Sequence, residues 1–208
     1  MPTPIYHITH LNNLHGIAVA GCLWSDHLLQ KQSVNTVIGF NHIKQRRLEE
    51  LDVDCHPDTK VGDYVPFYFC PRSVMLYVID RRNNELQYRG GQHDIVHLVS
   101  LVETAVQVAG TRPWAYSDGN AGARYTKFYN DLSFMNDIID WKAVNANQWK
   151  DRVVKNSKQA EFLVHDYYPW SAFHEIGVID RVVADQVRDI LNDVPHKPSV
   201  QVQRDWYY

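Results

Sequence analysis

The run Tyr64-Val65-Pro66-Phe67-Tyr68-Phe69-Cys70, stopped by Pro71, constrains the fold most. Aromatic and β-branched residues at this density favour a strand, and Pro71 has no N–H with which to extend a ladder. Other stretches of strand length are Pro4–His10, Ile95–Val99, Ala160–Val164 and Ile176–Ile179, with Trp114–Tyr116 a further candidate and Val200–Val202 a closing edge strand. Between them lie segments of helical spacing. Leu14, Ile17 and Ala18 form the first, with Asn12 or Asn13 as its cap and Gly21 as its stop. The others are His42–Glu50, Val102–Val108, Tyr125–Ile139, Trp141–Trp149 and Val183–Leu191. Ser73–Asp80 fits helix and strand equally, Asp52–Gly62 reads as a loop, and Asp118-Gly119-Asn120 as a turn. Strands and helices mix without regular alternation, so the expected class is α+β, with residues 1–208 forming a single domain.

Composition narrows the field further. With 208 residues, 45% hydrophobic and 12% aromatic, the chain can bury a substantial core. A charged fraction of 22%, 10 Gly and 9 Pro exclude disordered and collagen-like classes. Apolar runs fall short of the roughly 20 residues of a membrane span, and no basic segment leads into an apolar one at the start. Cys22, Cys55 and Cys70 lack metal-like spacing and fit reduced thiols in a cytoplasm. A net charge of −3 excludes a strongly basic nucleic-acid coat protein but permits a local basic groove.

Several side chains have both a bland and a chemical reading. His7, His10 and His15 do not have the spacing of a helical metal pair, and Cys55-His56 lacks a second cysteine pair, so no metal is expected. No phosphate-binding glycine loop or serine elbow is present, and Cys70 reads as buried filler. Glu161 opens the apolar run Phe162-Leu163-Val164. It is either a surface ion pair with Lys158 or Arg152, or a buried carboxylate needing a cation or ligand. Arg47 belongs either to a solvated face or to a fork aimed at carboxylate or phosphate. His7 reads as a core histidine on composition alone. Arg72, Lys127, Lys150, Arg152, Lys155 and Lys158, interleaved with Tyr68, Tyr125 and Trp149, are either scattered surface cations or a single-strand groove.

These pieces in this order resemble the His–aromatic–Glu layout of ADP-ribosyltransferases, and more closely the DarT family of bacterial DNA ADP-ribosyltransferase toxins. The residues carrying the resemblance are Pro4–His10, Asn13-Leu14 with Gly16-Ile17, Ile43–Arg47, Asp63–Ser73 with Met75-Leu76-Tyr77, Gly90-Gly91-Gln92, Lys158–Val164 and Asp205–Tyr208. The family transfers ADP-ribose from NAD to a base in single-stranded DNA, sequence-dependently, and is opposed by a macrodomain antitoxin, DarG. The resemblance implies that His7, Thr9, Asn13, Gly16, Arg47 and Tyr68 hold NAD, the co-substrate. It makes Glu161 the catalytic carboxylate, assisted by Arg47, and lays Arg72, Met75, Gln92, Tyr125 and Lys155 along the DNA. Tyr125 stands where some relatives carry a histidine, and the 25–60 segment would cover NAD. Thymidine is the favoured base. The alternatives are guanosine, an acceptor in protein or RNA, and a non-catalytic nucleic-acid-binding domain.

Overall fold

The computed structural model describes residues 2–30 and 36–208. Within the segment expected to cover NAD, residues 31–35 lie outside the described residues. The strands are β1 (Pro4–His10), β2 (Cys22–Trp24), β3 (Tyr64–Tyr68), β4 (Ile95–Leu101), β5 (Trp114–Asn120), β6 (Phe128–Tyr129), β7 (Ala160–His165), β8 (Tyr167–Pro169), β9 (Glu175–Val178) and β10 (Ser199–Val202). The α-helices are α1 (Leu14–Ala20), α2 (Asp26–Leu29), α3 (Asn41–Glu49), α4 (Val74–Asp80), α5 (Val102–Ala109), α6 (Met135–Ile138), α7 (Trp141–Val144), α8 (Arg152–Ser157) and α9 (Arg181–Ile190). Eight strands make one mixed sheet in the order β10-β9-β4-β1-β3-β7-β5-β6, parallel at β9–β10, and β2 and β8 form a separate antiparallel ribbon. The class is α+β.

Strand alternation sorts the side chains onto two faces. Ile5, Phe67, Leu98, Phe162 and Val164 join the large core, together with Val102 and Ala105 of α5 and Val183 and Val187 of α9. The opposite face carries two smaller clusters. Tyr64, Ala115, Phe128 and Leu163 pack with Leu51, Val53 and Val61, while Ile8 and Ile95 pack with Leu76, Ile79 and Tyr207. Glu161, one residue before Phe162, therefore falls on the face of the smaller clusters.

The two central strands part early. β1 pairs with β4 from Pro4↔Leu101 to His10↔Ile95, but with β3 at Tyr6↔Tyr68 alone. Pro66 has no N–H to offer β1, and its carbonyl instead accepts from the Nδ1–H of His7 at 2.8 Å. A side chain thus replaces a ladder bond where the sheet opens.

Other expectations shift. Ser73–Asp80 resolves as α4, whose start is capped by Ser73 Oγ accepting from Leu76 N at 3.1 Å. Residues 118–120 continue β5 instead of turning, because a bulge between Tyr116 and Asn120 lets the strand stay on β7. Tyr125–Ile139 is no continuous helix. Phe128 pairs with Ser117 in β6, and Asp131 starts a fresh 3-10 turn by accepting from Ser133 N at 2.9 Å. The helix expected over Trp141–Trp149 ends at Val144. Asn13 does not cap α1 with its side chain, which is committed elsewhere, whereas Gly21 does close it at φ +72°. Lys158 leaves the list of surface cations: it is buried and donates to Val144 O at 2.7 Å.

Two stability predictions follow from this packing. A methyl at Gly177 in β9 would run into the ring of Trp206, which packs edge-on against Tyr6. Gly177→Ala should lower stability by about 1–3 kcal/mol, read as an earlier urea midpoint at unchanged slope. His97 in β4 is fully buried, with Nε2–H donating to Pro71 O at 3.0 Å and Nδ1 facing the Tyr207 hydroxyl. Burial brings its pKa down to about 4 from the ordinary 6.5. The unfolded chain then binds this proton first as pH falls, so stability is complete above pH 6.5 and declines toward pH 4. The loss is on the order of 3 kcal/mol, and His97→Gln should flatten that part of a melting-temperature profile.

Candidate active site

A cavity of about 470 Å³ lies where β1 and β3 part, under α2 and α3. Its polar end is built on β7. Glu161 sits directly opposite Tyr68 in the β3–β7 register, and both reach the cavity. The Glu161 side chain is only 4% exposed. From α3, the Arg47 guanidinium donates to it twice, Nη1 to Oε1 at 3.1 Å and Nη2 to Oε2 at 3.0 Å. Neither bland reading holds: Glu161 pairs with neither Lys158 nor Arg152, and Arg47 points inward from its charged helix. A buried carboxylate is costly alone, and a two-pronged guanidinium offsets most of that cost while fixing its plane. Burial by itself would lower the pKa of Arg47, but the Glu161 carboxylate and then Asp26 more than offset this, leaving it raised.

The β5 bulge holds Glu161 from behind. It leaves Glu161 N off the regular ladder, and this group donates instead to Ser117 Oγ at 2.9 Å. Ser117 in turn donates to Gly119 O at 2.7 Å. Beside Glu161, Asn120 donates to Gln159 Oε1 at 3.2 Å and Gln159 donates to Lys155 O at 2.9 Å. Both amides line the cavity. Sequence reading missed Ser117 and Asn120; the Asp-Gly pair before Asn120 suggested a turn and hid the bulge.

Across the cavity, His7 has Nδ1–H committed to Pro66 O, and burial lowers its pKa. It is therefore neutral near pH 7, and among the described residues its Nε2 has no partner and can accept a hydrogen bond. Tyr68 has its pKa raised, first by burial and then by the Glu161 carboxylate, and stays a neutral phenol. Asn13 clamps the wall: Nδ2 donates to Thr9 Oγ1 at 3.1 Å and to Thr36 O at 3.0 Å, while Oδ1 accepts from Thr36 N at 2.9 Å. Lys44 of α3 and Asp26 of α2, both lining residues, form an ion pair at 2.8 Å.

His7, Thr9, Asn13, Gly16, Arg47, Tyr68, Met75 and Glu161 thus line one space, although they come from five separate parts of the sequence. The remaining DNA candidates do not. Tyr125 is 86% exposed, and the residue its region contributes to the cavity is Asn120. Lys155 is exposed, its Nζ 5.8 Å from the Trp149 ring centroid. Arg72 lies over the Tyr208 ring, 4.4 Å from its centroid. Gln92 is buried, and both ends of its amide bind the main chain of Tyr208. Among the described residues no group of three or more His, Cys, Asp or Glu is placed to hold a metal ion, and no helix is long and apolar enough to cross a membrane.

Comparison with known proteins agrees with this geometry. Residues 6–208 match the family described as DarT, ssDNA thymidine ADP-ribosyltransferase. A DNA ADP-ribosyl transferase of Thermus aquaticus is 43% identical, over 100% of this chain and 90% of that protein. The structure of Thermus sp. 2.9 DarT in complex with ADP-ribosylated ssDNA superimposes with a TM-score of 0.90 at 39% identity, covering 100% of this chain and 97% of that one. The same protein in complex with NAD+ gives 0.86 at 37% identity, covering 100% and 98%. A lining of histidine, tyrosine and an arginine-bound glutamate, on a fold shared over the whole chain, leads to one assignment: the chain belongs to the DarT family of single-stranded DNA thymidine ADP-ribosyltransferases.

Proposed function

We propose that Glu161 is the catalytic carboxylate with which this enzyme transfers ADP-ribose from NAD to thymidine in single-stranded DNA, sequence-dependently. The observation carrying this reading is the two-pronged Arg47–Glu161 pair, buried at the end of a cavity that also presents His7, Thr9 and Tyr68. In the reaction, the bond between nicotinamide and the ribose C1′ breaks, positive charge develops on the ribose, and a ring nitrogen of the base bonds to C1′ as its proton leaves. Glu161 stabilises that charge, and its near-complete burial at the end of the cavity keeps the interaction strong. It also accepts the proton of the base, directly or by orienting the group that does.

Arg47 holds Glu161 until substrate arrives, and has donors suited to the phosphates of NAD. His7 Nε2 accepts from a ribose hydroxyl, and the neutral Tyr68 ring packs on the nicotinamide side. Thr9, Asn13 and Gly16 complete that wall. On the DNA side, Met75 meets the target base at the cavity, while Arg72, Tyr125 and Lys155 meet the strand outside it. Gln92 acts through Tyr208, which it pins. Residues 1–208 work as a single domain in a bacterial cytoplasm, where the modified DNA blocks replication. The partner by family is a DarG-type macrodomain antitoxin that removes the mark, and the chemistry uses no metal.

Labelled NAD offered with single-stranded DNA, RNA and protein in parallel tests this. Label should reach thymidine-containing DNA, with nicotinamide released in step. Label on RNA or protein alone would overturn the acceptor, and label on guanosine would overturn the base.

A further inference from the structure

The irregularity in β5 is centred on Glu161. Tyr116 pairs with Phe162 and Asn120 with Ala160, so Ser117, Asp118 and Gly119 stand where β7 has Glu161 alone. Extra residues in one strand break the ladder, and such bulges re-aim the side chains beside them. On its other side Glu161 keeps a regular partner, Tyr68 of β3. Towards β5, its main-chain N–H donates to the Ser117 hydroxyl at 2.9 Å. That hydroxyl is fully buried and has one proton to give. The proton goes to Gly119 O at 2.7 Å, with Glu161 O a longer alternative at 3.4 Å. One side chain therefore satisfies both the Glu161 N–H and a carbonyl of the bulge.

The bulge is braced from outside. Asp118 N–H donates to Lys127 O at 3.2 Å, and Asp118 Oδ1 accepts from Lys127 N at 3.1 Å. Thr126 Oγ1 donates to Asn120 O at 2.6 Å. The Asn156 amide of α8 lies so close to Gly119 that a Cβ there would strike it. Ser117 thus has a fixed place from which to hold Glu161.

We propose that Ser117 is a positioning residue for the transfer reaction, holding the Glu161 main chain so that the carboxylate keeps its aim when the Arg47 donors are shared with NAD. The inference rests on the reading of Glu161 as the catalytic carboxylate and deepens it. Arg47 grips the carboxylate from the cavity, where substrate competes for its donors. Ser117 grips the other end of the residue from behind β7, outside the cavity lining, so no substrate displaces it.

Ser117→Ala, Ser117→Thr and Ser117→Val test it, the last two carrying the same extra methyl and differing only in the hydroxyl. Each is assayed as the full chain, with Glu161→Gln in parallel, by single-turnover transfer to a thymidine-containing strand and by calorimetric titration with NAD. Ser117→Ala and Ser117→Val should slow transfer about 10- to 100-fold while NAD affinity changes no more than about twofold, the pattern of a reacting group misplaced by about 1 Å. Ser117→Thr should be about fivefold or more faster than Ser117→Val, because it keeps the donor and acceptor. The Ser117→Ala rate should also climb between about pH 7 and about pH 9 while the wild-type rate stays level, because a base that loses its proton to hydroxide depends less on the aim of Glu161. Ser117→Cys, similar in volume but weak in hydrogen bonding, replaces any variant that does not fold, with the same loss expected. Transfer by Ser117→Ala close to the wild-type rate, or Ser117→Thr no faster than Ser117→Val, would overturn the inference. NAD affinity falling in step with the rate would do the same, since it marks general damage to the cavity. A Glu161→Gln protein that keeps the wild-type rate would instead overturn the underlying reading, leaving Ser117 nothing to aim.

Discussion

Glu161→Gln should lower ADP-ribose transfer at least a thousandfold while NAD binding changes no more than about threefold. The size follows from two roles falling on one side chain. Electrostatic stabilisation at a desolvated site contributes about 10²–10³, and a positioned proton acceptor contributes a further 10²–10⁴. Glutamine keeps the volume and one oxygen for Arg47, so the cavity wall survives and the cofactor still fits. Single-turnover nicotinamide release reads the chemistry, and calorimetric titration with NAD reads the binding. A variant keeping a tenth of the wild-type rate would show that Glu161 is not the reacting carboxylate.

Arg47→Ala should show a different pattern, because Arg47 both orients Glu161 and offers donors toward NAD. Transfer should fall about 10²- to 10³-fold, the usual effect of losing a preorganised charged donor, and KM for NAD should rise about tenfold. The folded state should also lose about 1–3 kcal/mol, since a buried charged acceptor is left without its donors. Arg47→Lys separates charge from shape. Lysine keeps the cation but not the planar fork seen at 3.0 and 3.1 Å, and should recover less than a tenth of the lost rate. Full recovery by lysine would mean that charge alone suffices and that the two-pronged geometry is incidental.

The strands were legible where composition and burial agree. Ile95–Val99, Phe162–Val164 and the aromatic run at Tyr64 are central, packed on both faces, and so rich in β-branched and aromatic residues. The reading failed where a local signal competed with the sheet. Asp118-Gly119-Asn120 has turn chemistry, but β7 on one side and the Ser117 hydroxyl hold it extended. Phe128, Leu132, Met135 and Ile139 have helical spacing, yet they divide between a two-residue strand and two short helical turns. Long-range pairing decided both.

The site divides in the same way. Glu161 stood out because an acid before an apolar run needs a partner, but no periodicity could say that the partner is Arg47, 114 positions away. The surface reading of the pair was the reasonable local one, and β3–β7 pairing overturned it. His7 and Tyr68 entered through resemblance, and their closeness to Glu161 became evident with the Tyr6↔Tyr68 and Tyr68↔Glu161 registers. Gln92 shows the reverse: a polar residue beside two glycines suggests a ligand contact, whereas its amide is spent on the Tyr208 main chain.

The most direct measurement is mass spectrometry of a mixed pool of single-stranded oligonucleotides incubated with NAD and the wild-type protein, with Glu161→Gln in parallel. A mass gain of one ADP-ribose, mapped by fragmentation to thymidine in a fixed sequence context and absent with Glu161→Gln, is the result this account predicts. A gain that persists with Glu161→Gln, or no gain on any strand while NAD is consumed, would contradict it.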